Sequence, residues 1–157
     1  MSDFARDISV VSGSAAVRVL LNRLCAITGM GFAAVARVSE HRWIACQVLD
    51  RIAFGMEPGG ELQVKTTICD EIRDHGRAVY IDSVQDEPMW RTHPTPVLYG
   101  FQSYVSVPVY RPDGSFFGTL CAIDPEPHVV NTPETVSEIE ALAREIMTCL
   151  ENERKSA

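Results

Sequence analysis

Positive charge is scarce in this chain: 14 lysines and arginines stand against 21 acidic residues, for a net charge of -7. Such a surface repels phosphate backbones and argues against nucleic acid as a partner. Long apolar runs are missing too. Arg18, Asn22 and Arg23 interrupt the most apolar region, so no stretch reaches the roughly 18 residues that mark a membrane span, and no membrane partner is expected. The opening Met1-Ser2-Asp3-Phe4-Ala5-Arg6-Asp7 lacks the basic-then-apolar order of a signal peptide. The five cysteines are odd in number, and no CxxC pair occurs, so neither a zinc knuckle nor a redox dithiol is spelled out. Together these features predict a cytoplasmic protein with reduced, mostly buried thiols.

With 157 residues, 46% of them hydrophobic and 22% charged, the chain has the makings of one ordinary globular domain. Val17, Leu20, Leu21, Leu24 and Ile27 recur at helical spacing behind a capping Ser14, which predicts a helix over 14–28 ended by Gly29 and Gly31. Runs 32–38 and 43–49 read as a β-hairpin, followed by an irregular loop over 50–60. A short strand over 61–64 precedes a helix that starts at Thr67 and stops at Gly76. Residues 78–82 form a further strand, and the prolines at 88, 94 and 96 limit the next segment to short helical turns. Runs 104–110 and 115–124 flank Arg111-Pro112-Asp113-Gly114 as a second hairpin. Both strands are apolar on both faces, as in strands covered above and below, while Pro108 implies a bulge or an unpaired edge. Thr132-Pro133-Glu134 opens a last helix whose stripe is Ile139, Leu142, Ala143, Ile146, Met147 and Leu150. The order predicts an α+β domain, with a mostly antiparallel sheet and helices packed on it. Residues 1–13 read as a lead-in, 14–150 as the domain, and 151–157 as a helix end leading to an effector; Ser156-Ala157 reads as a cut.

Four segments carry a family resemblance: Thr66-Thr67-Ile68-Cys69-Asp70-Glu71-Ile72, Val79-Tyr80-Ile81-Asp82, Tyr99 through Val109, and Phe116 through Asp124. Over nearly its whole length the chain resembles a GAF domain, of the type placed ahead of the kinase modules of bacterial sensor histidine kinases. The resemblance implies a six-stranded antiparallel sheet with helices on both sides, a small-molecule pocket between sheet and loops, and homodimerisation through terminal helices that continue into a kinase or other effector. On that reading, occupancy of the pocket tilts the carboxy-terminal helix. The alternatives are a photoreceptor or redox domain holding a bilin or haem, and a dimerisation module without a ligand.

Candidate chemistry is sparse. Some GAF domains reduce free methionine sulfoxide with paired cysteines, and Cys69 falls near one such position. Residues 88–100 contain no cysteine to partner it, so Cys69 reads as structural filler and no enzymatic activity is expected. The bilin attachment dipeptide Cys-His is absent around His93, which leaves His93 as a conceivable ligand to a noncovalent tetrapyrrole. Glu71 and His75 offer only two of the three or four protein ligands zinc takes, so no metal site is expected. Aromatics are only 8% of residues, yet Trp90, Tyr99, Phe101, Tyr104, Phe116 and Phe117 cluster in the last third. Apolar walls with a few polar groups suit a small ligand of unknown identity. The candidate ligand-binding residues are Trp90, His93, Tyr99 and Tyr104, with Asp70 and Cys121; Phe116 and Phe117 point to opposite faces.

Overall fold

A computed structural model of the protein describes residues 3–156, and side chains over 5–155. Met1 and Ser2 of the expected lead-in, and Ala157 of the expected tail, lie outside the described residues.

The first helix is α1 (Asp3–Ser12), where the sequence suggests only a lead-in. Its β-branched Ile8, Val10 and Val11 are weak helix formers, and tertiary contacts supply what propensity does not. Val11 is fully buried, and the Asp7 carboxylate is buried beside Arg37 and Arg111. Next comes α2 (Ala15–Thr28). The Ser14 hydroxyl accepts the Val17 N–H, and Gly29 closes the helix at φ 76, donating its N–H to the Cys25 carbonyl. Strands β1 (Phe32–Val38) and β2 (Trp43–Asp50) form the first hairpin, with a bulge between Val35 and Ala36. The third strand, β3 (Glu61–Leu62), is shorter than expected, because a single 3-10 turn over Val64–Thr66 follows at once.

That turn delivers Thr67 as the N-cap of α3 (Ile68–His75), where its hydroxyl accepts the Asp70 N–H; Gly76 ends the helix at φ 69. Strand β4 (Val79–Ile81) leads through two short helices, α4 (Pro88–Arg91) and α5 (Pro94–Tyr99), each opened by proline. The second hairpin joins β5 (Ser103–Tyr110) to β6 (Phe116–Asp124), and α6 (Pro133–Ser156) closes the chain.

The six strands form one antiparallel sheet in the order β3-β2-β1-β6-β5-β4. Pro108 sits where β5 has outrun β4, whose pairing stops at Ser106, so its missing N–H faces an unpaired edge. The register skips Phe117. That bulge sends Phe117 into the core beneath the helices and leaves Phe116 half-buried on the other side.

Two cores lie on opposite faces of the sheet. On one, α1, α2 and α6 cover Val35, Val105, Val107, Leu120 and Ala122. On the other, α3 and the segments around it cover Ala34, Ala36, Ile81, Tyr104, Cys121 and Ile123. The stripe of α6 (Ile139, Leu142, Ala143, Ile146, Met147, Leu150) is buried along its whole length in the first core. Among the described residues, no single helix is long and apolar enough to cross a membrane. Together α1 and α2 meet that test, but they meet at a bend of 69°, and the apolar side of α2 is packed inside the domain.

Candidate functional site

On the α3 face of the sheet, the covering helices are too short to fill the space. A narrow cleft of about 440 Å³, its mouth included, remains between the sheet and the segments α3 and α5. The sheet contributes Phe32, Trp43, Leu62, Tyr104, Cys121 and Ile123; the loop after β2 contributes Phe54; α3 and its cap add Thr67, Ile68 and Cys69; α5 and its exit add Thr95, Tyr99 and Phe101. Only about 50 Å³ of this is enclosed space that a water-sized group can occupy, less than the several hundred Å³ of a drug-sized site. An occupant is therefore small or parts the walls, which are almost wholly apolar.

Aromatic rings line the opening. Phe54 lies 5.1 Å from Phe32 and 6.5 Å from Tyr99, while Phe101 stacks on Tyr104 at 4.9 Å. The short helix α5 forms one side and is tied down by hydrogen bonds. Tyr99 Oη meets Thr66 Oγ1 at 2.6 Å, Thr95 Oγ1 donates to the Thr66 carbonyl at 2.6 Å, and His93 Nε2 lies 2.9 Å from Glu71 Oε1 on α3. The Phe54 side is held by Asp50, whose carboxylate accepts N–H groups from Ile52, Phe54 and Gly55. Between them Ala53 adopts φ 55, a conformation that costs a residue with a Cβ.

The cleft floor is polar at one point. Cys69 Sγ lies 3.1 Å from Thr119 Oγ1, 3.6 Å from Ser106 Oγ and 3.7 Å from Tyr104 Oη. The neighbouring Cys121 thiol, opposite Ser106 on β6, is the largest influence lowering the Cys69 pKa, against the opposing effect of burial. The Thr119 and Ser106 hydroxyls lower it further. The proximity of Cys69, with burial, raises Cys121 well above the usual thiol range. Negative charge in this pair therefore belongs on Cys69, at the start of α3, where the helix dipole also favours it. Trp43 is 4% exposed and its Nε1–H has no hydrogen-bond partner.

Of the residues expected at the pocket, the structure brings Tyr99, Tyr104 and Cys121 to the cleft. Trp90 and His93 line a separate, open groove with Glu71, His75 and Tyr80. Asp70 lines neither; it is buried on α3, paired with Arg73 at 3.1 Å and Lys65 at 3.6 Å. Cys69, read from sequence as filler, sits at the polar centre. The thiol that residues 88–100 do not supply comes instead from β6, as Cys121. Phe32 and Trp43 escaped the sequence reading, because strands buried on both faces lack the alternation that would show which side chains share a face; Phe54 lies on the irregular loop after β2, which has no periodicity to read.

A family model of the GAF domain matches residues 13–150. The chain belongs to the GAF domain family. Among curated proteins, none matches this GAF domain. Among solved structures, it is similar to the GAF domain of a two-component sensor histidine kinase from Bacillus halodurans, with 11% identity and a TM-score of 0.67 over 88% of this chain and 95% of that one. The GAF domain of an Acinetobacter phosphoenolpyruvate-protein phosphotransferase matches at 11% identity and TM-score 0.69, over 99% and 98%. A free methionine-R-sulfoxide reductase from Neisseria meningitidis, solved with its substrate, matches at 18% identity and TM-score 0.64, over 98% and 89%. At these identities the likeness establishes the fold, which regulatory and catalytic proteins share.

A tetrapyrrole does not fit the imidazole available. Both nitrogens of His93 are engaged: Nδ1 accepts the Thr95 N–H that caps α5, and Nε2 pairs with Glu71. His93 also lies outside the cleft. Among the described residues, no group of three or more His, Cys, Asp or Glu side chains could hold a metal ion.

Proposed function

We propose that this GAF domain is a regulatory input module of a bacterial signal-transduction protein, which binds a small molecule in the cleft and passes that event to an effector such as a histidine kinase. The observation that carries this reading is the cleft itself: an apolar, aromatic-rimmed space with a single polar floor. Its occupant is compact and largely apolar, since the lining residues include no Asp, Glu, Lys, Arg or His. The candidate binding residues are Tyr99, Tyr104, Cys121, Phe32, Trp43 and Phe54. The domain acts by binding rather than by turnover, in the cytoplasm, in keeping with its five free thiols.

The route of the signal differs from a direct push on the last helix. The cleft and α6 occupy opposite faces of the sheet, so occupancy reaches α6 through strands β5 and β6, whose residues alternate between the two cores. Homodimerisation involves the outer face of α2, where Ala15, Ala16, Val19 and Ala26 are exposed, because the apolar stripe of α6 is already buried within the domain. In a longer chain, α6 continues into the effector.

The test is a thermal-shift screen of the purified protein against a panel of compact apolar metabolites. A ligand at a hundred times its dissociation constant stabilises the fold by about 2.7 kcal/mol. Stabilisation of wild type, lost when Cys121→Leu fills the cleft, is the expected result. A melting temperature unchanged across the panel would instead support a dimerisation module without a ligand, and a coloured protein from cofactor-supplied expression would support the tetrapyrrole alternative.

A further inference from the structure

Three hydroxyls converge on one sulfur in this molecule. Thr119 Oγ1, Ser106 Oγ and Tyr104 Oη stand 3.1, 3.6 and 3.7 Å from Cys69 Sγ, and the Cys121 thiol and the Trp43 indole line the same cleft. A thiol buried as filler needs one weak hydrogen bond at most; a shell of donors suits a sulfur that carries negative charge or acquires an oxygen. The Trp43 N–H has no partner, although its side chain is more than nine-tenths buried, and an unpartnered buried donor is costly unless something arrives to accept from it. A second thiol is close by: Cys121 stands directly opposite Ser106 in the β5–β6 pairing, the Ser106 hydroxyl is 3.6 Å from Cys69 Sγ, and both thiols line the apolar cleft.

We infer that Cys69 and Cys121 are a redox-sensing pair, oxidised to a disulfide by organic hydroperoxides whose apolar body enters the cleft. This deepens the reading of the cleft as a sensing site and rests on it. In the first step, the Cys69 sulfur attacks the terminal oxygen of the hydroperoxide. The S–O bond forms, the O–O bond breaks, and the alkoxide leaves as the alcohol with the proton lost from the Cys69 thiol, relayed by the Tyr104 hydroxyl. Trp43 N–H donates to the oxygen retained on sulfur. In the second step, the Cys121 sulfur attacks the Cys69 sulfur, the S–S bond forms, and the sulfenic oxygen departs as water with the Cys121 proton. Two thiols lose two electrons in total and one hydroperoxide gains them. A cellular dithiol resets the pair. The apolar walls select a carbon-bodied peroxide over hydrogen peroxide, and the new bond would join the start of α3 to β6.

The experiment treats the reduced protein with cumene hydroperoxide or with hydrogen peroxide at equal concentration, then maps the thiols by mass spectrometry. The expected product is 2 Da lighter, with Cys69 and Cys121 in one linked peptide pair, formed at least about tenfold faster with cumene hydroperoxide. With dimedone present, Cys121→Ser traps a sulfenic acid adduct on Cys69, and Cys69→Ser traps none on Cys121. A Trp43→Phe variant slows the first step about threefold or more, by loss of one hydrogen bond. The inference is overturned by thiols that stay reduced, by oxidation confined to half-exposed Cys149, or by hydrogen peroxide reacting as fast as the organic compound. Wild-type mapping alone decides these outcomes if a variant fails to fold. Such a failure leaves the thermal-shift result standing, so the loss of this inference and the loss of the ligand-binding reading are told apart.

Discussion

Two residues carry constraints that a single substitution exposes. At Gly118 on β6, a Cβ would stand 1.9 Å from the Ala36 carbonyl oxygen and 3.1 Å from the Arg37 Cα, both backbone atoms of the neighbouring strand. Neither can rotate away, so Gly118→Ala forces the central β1–β6 pairing apart and is expected to cost about 3 kcal/mol or more, measured by urea unfolding. Asp7 is the second. Its carboxylate, 5% exposed, meets the Arg37 and Arg111 guanidiniums, which lie 5.2 and 5.1 Å from the Phe117 ring centroid. Burial and then the Arg111 charge lower the Arg37 pKa, with Asp7 opposing them. Removing Asp7 leaves two half-desolvated cations facing one another, and Asp7→Ala is expected to destabilise by about 3 kcal/mol. Amide exchange over Asp3–Ser12 should accelerate in that variant while α2 stays protected; equal loosening of both helices would show that Asp7 does not anchor α1 specifically.

Among the elements, those with strong local signals were legible in the sequence and those held by distant contacts were not. Ser14, Thr67, Gly76 and Gly114 act where their chemistry places them, as caps and as a turn residue at φ 87. Helix α1 was missed because β-branched residues and a buried acid spoil its pattern, and the partners of Asp7 lie 30 residues away in Arg37 and 104 away in Arg111. The cleft was half legible for the same reason. Tyr99 and Tyr104 stood out as a local cluster, whereas Phe32, Trp43 and Phe54 join it only once β1, β2 and β6 pair in register. The Phe54 loop carries its own pH dependence. Burial raises the Asp50 pKa, but N–H groups of Gly55, Phe54 and Ile52 outweigh it and hold the carboxylate below the usual aspartate value. A depressed carboxylate pKa stabilises the fold above the unfolded value, and that contribution is lost as pH falls through the folded pKa. The loop is therefore ordered at neutral pH and loosens in acid. The amide resonances of Ile52, Phe54 and Gly55 should titrate together with a midpoint below that of an ordinary aspartate, and Asp50→Asn should abolish that shared titration.

For the molecule as a whole, the question is how two cores separated by a sheet communicate. Phe54 and Ile146 belong to the cores on opposite sides of the sheet, the first at the cleft rim and the second fully buried on the inner face of α6. Ile146→Ala should cost about 3 kcal/mol through the cavity it leaves. Combined with Phe54→Ala, the two effects should add to within about 0.5 kcal/mol, because distant sites without common neighbours are independent. On β5 the expectation reverses. Tyr104 faces the cleft and Val105, its chain neighbour, faces the core that holds Ile139, Leu142 and Ile146. Tyr104→Phe combined with Val105→Ala should deviate from additivity by about 0.5 kcal/mol or more, since any shift of the strand backbone moves both side chains. Urea unfolding of the two double-mutant cycles measures both terms under one set of conditions. A coupling between Phe54 and Ile146 as large as that within β5 would mean that the sheet is not the conduit between the two cores, and the proposed signal would then have to run around the edge of the domain.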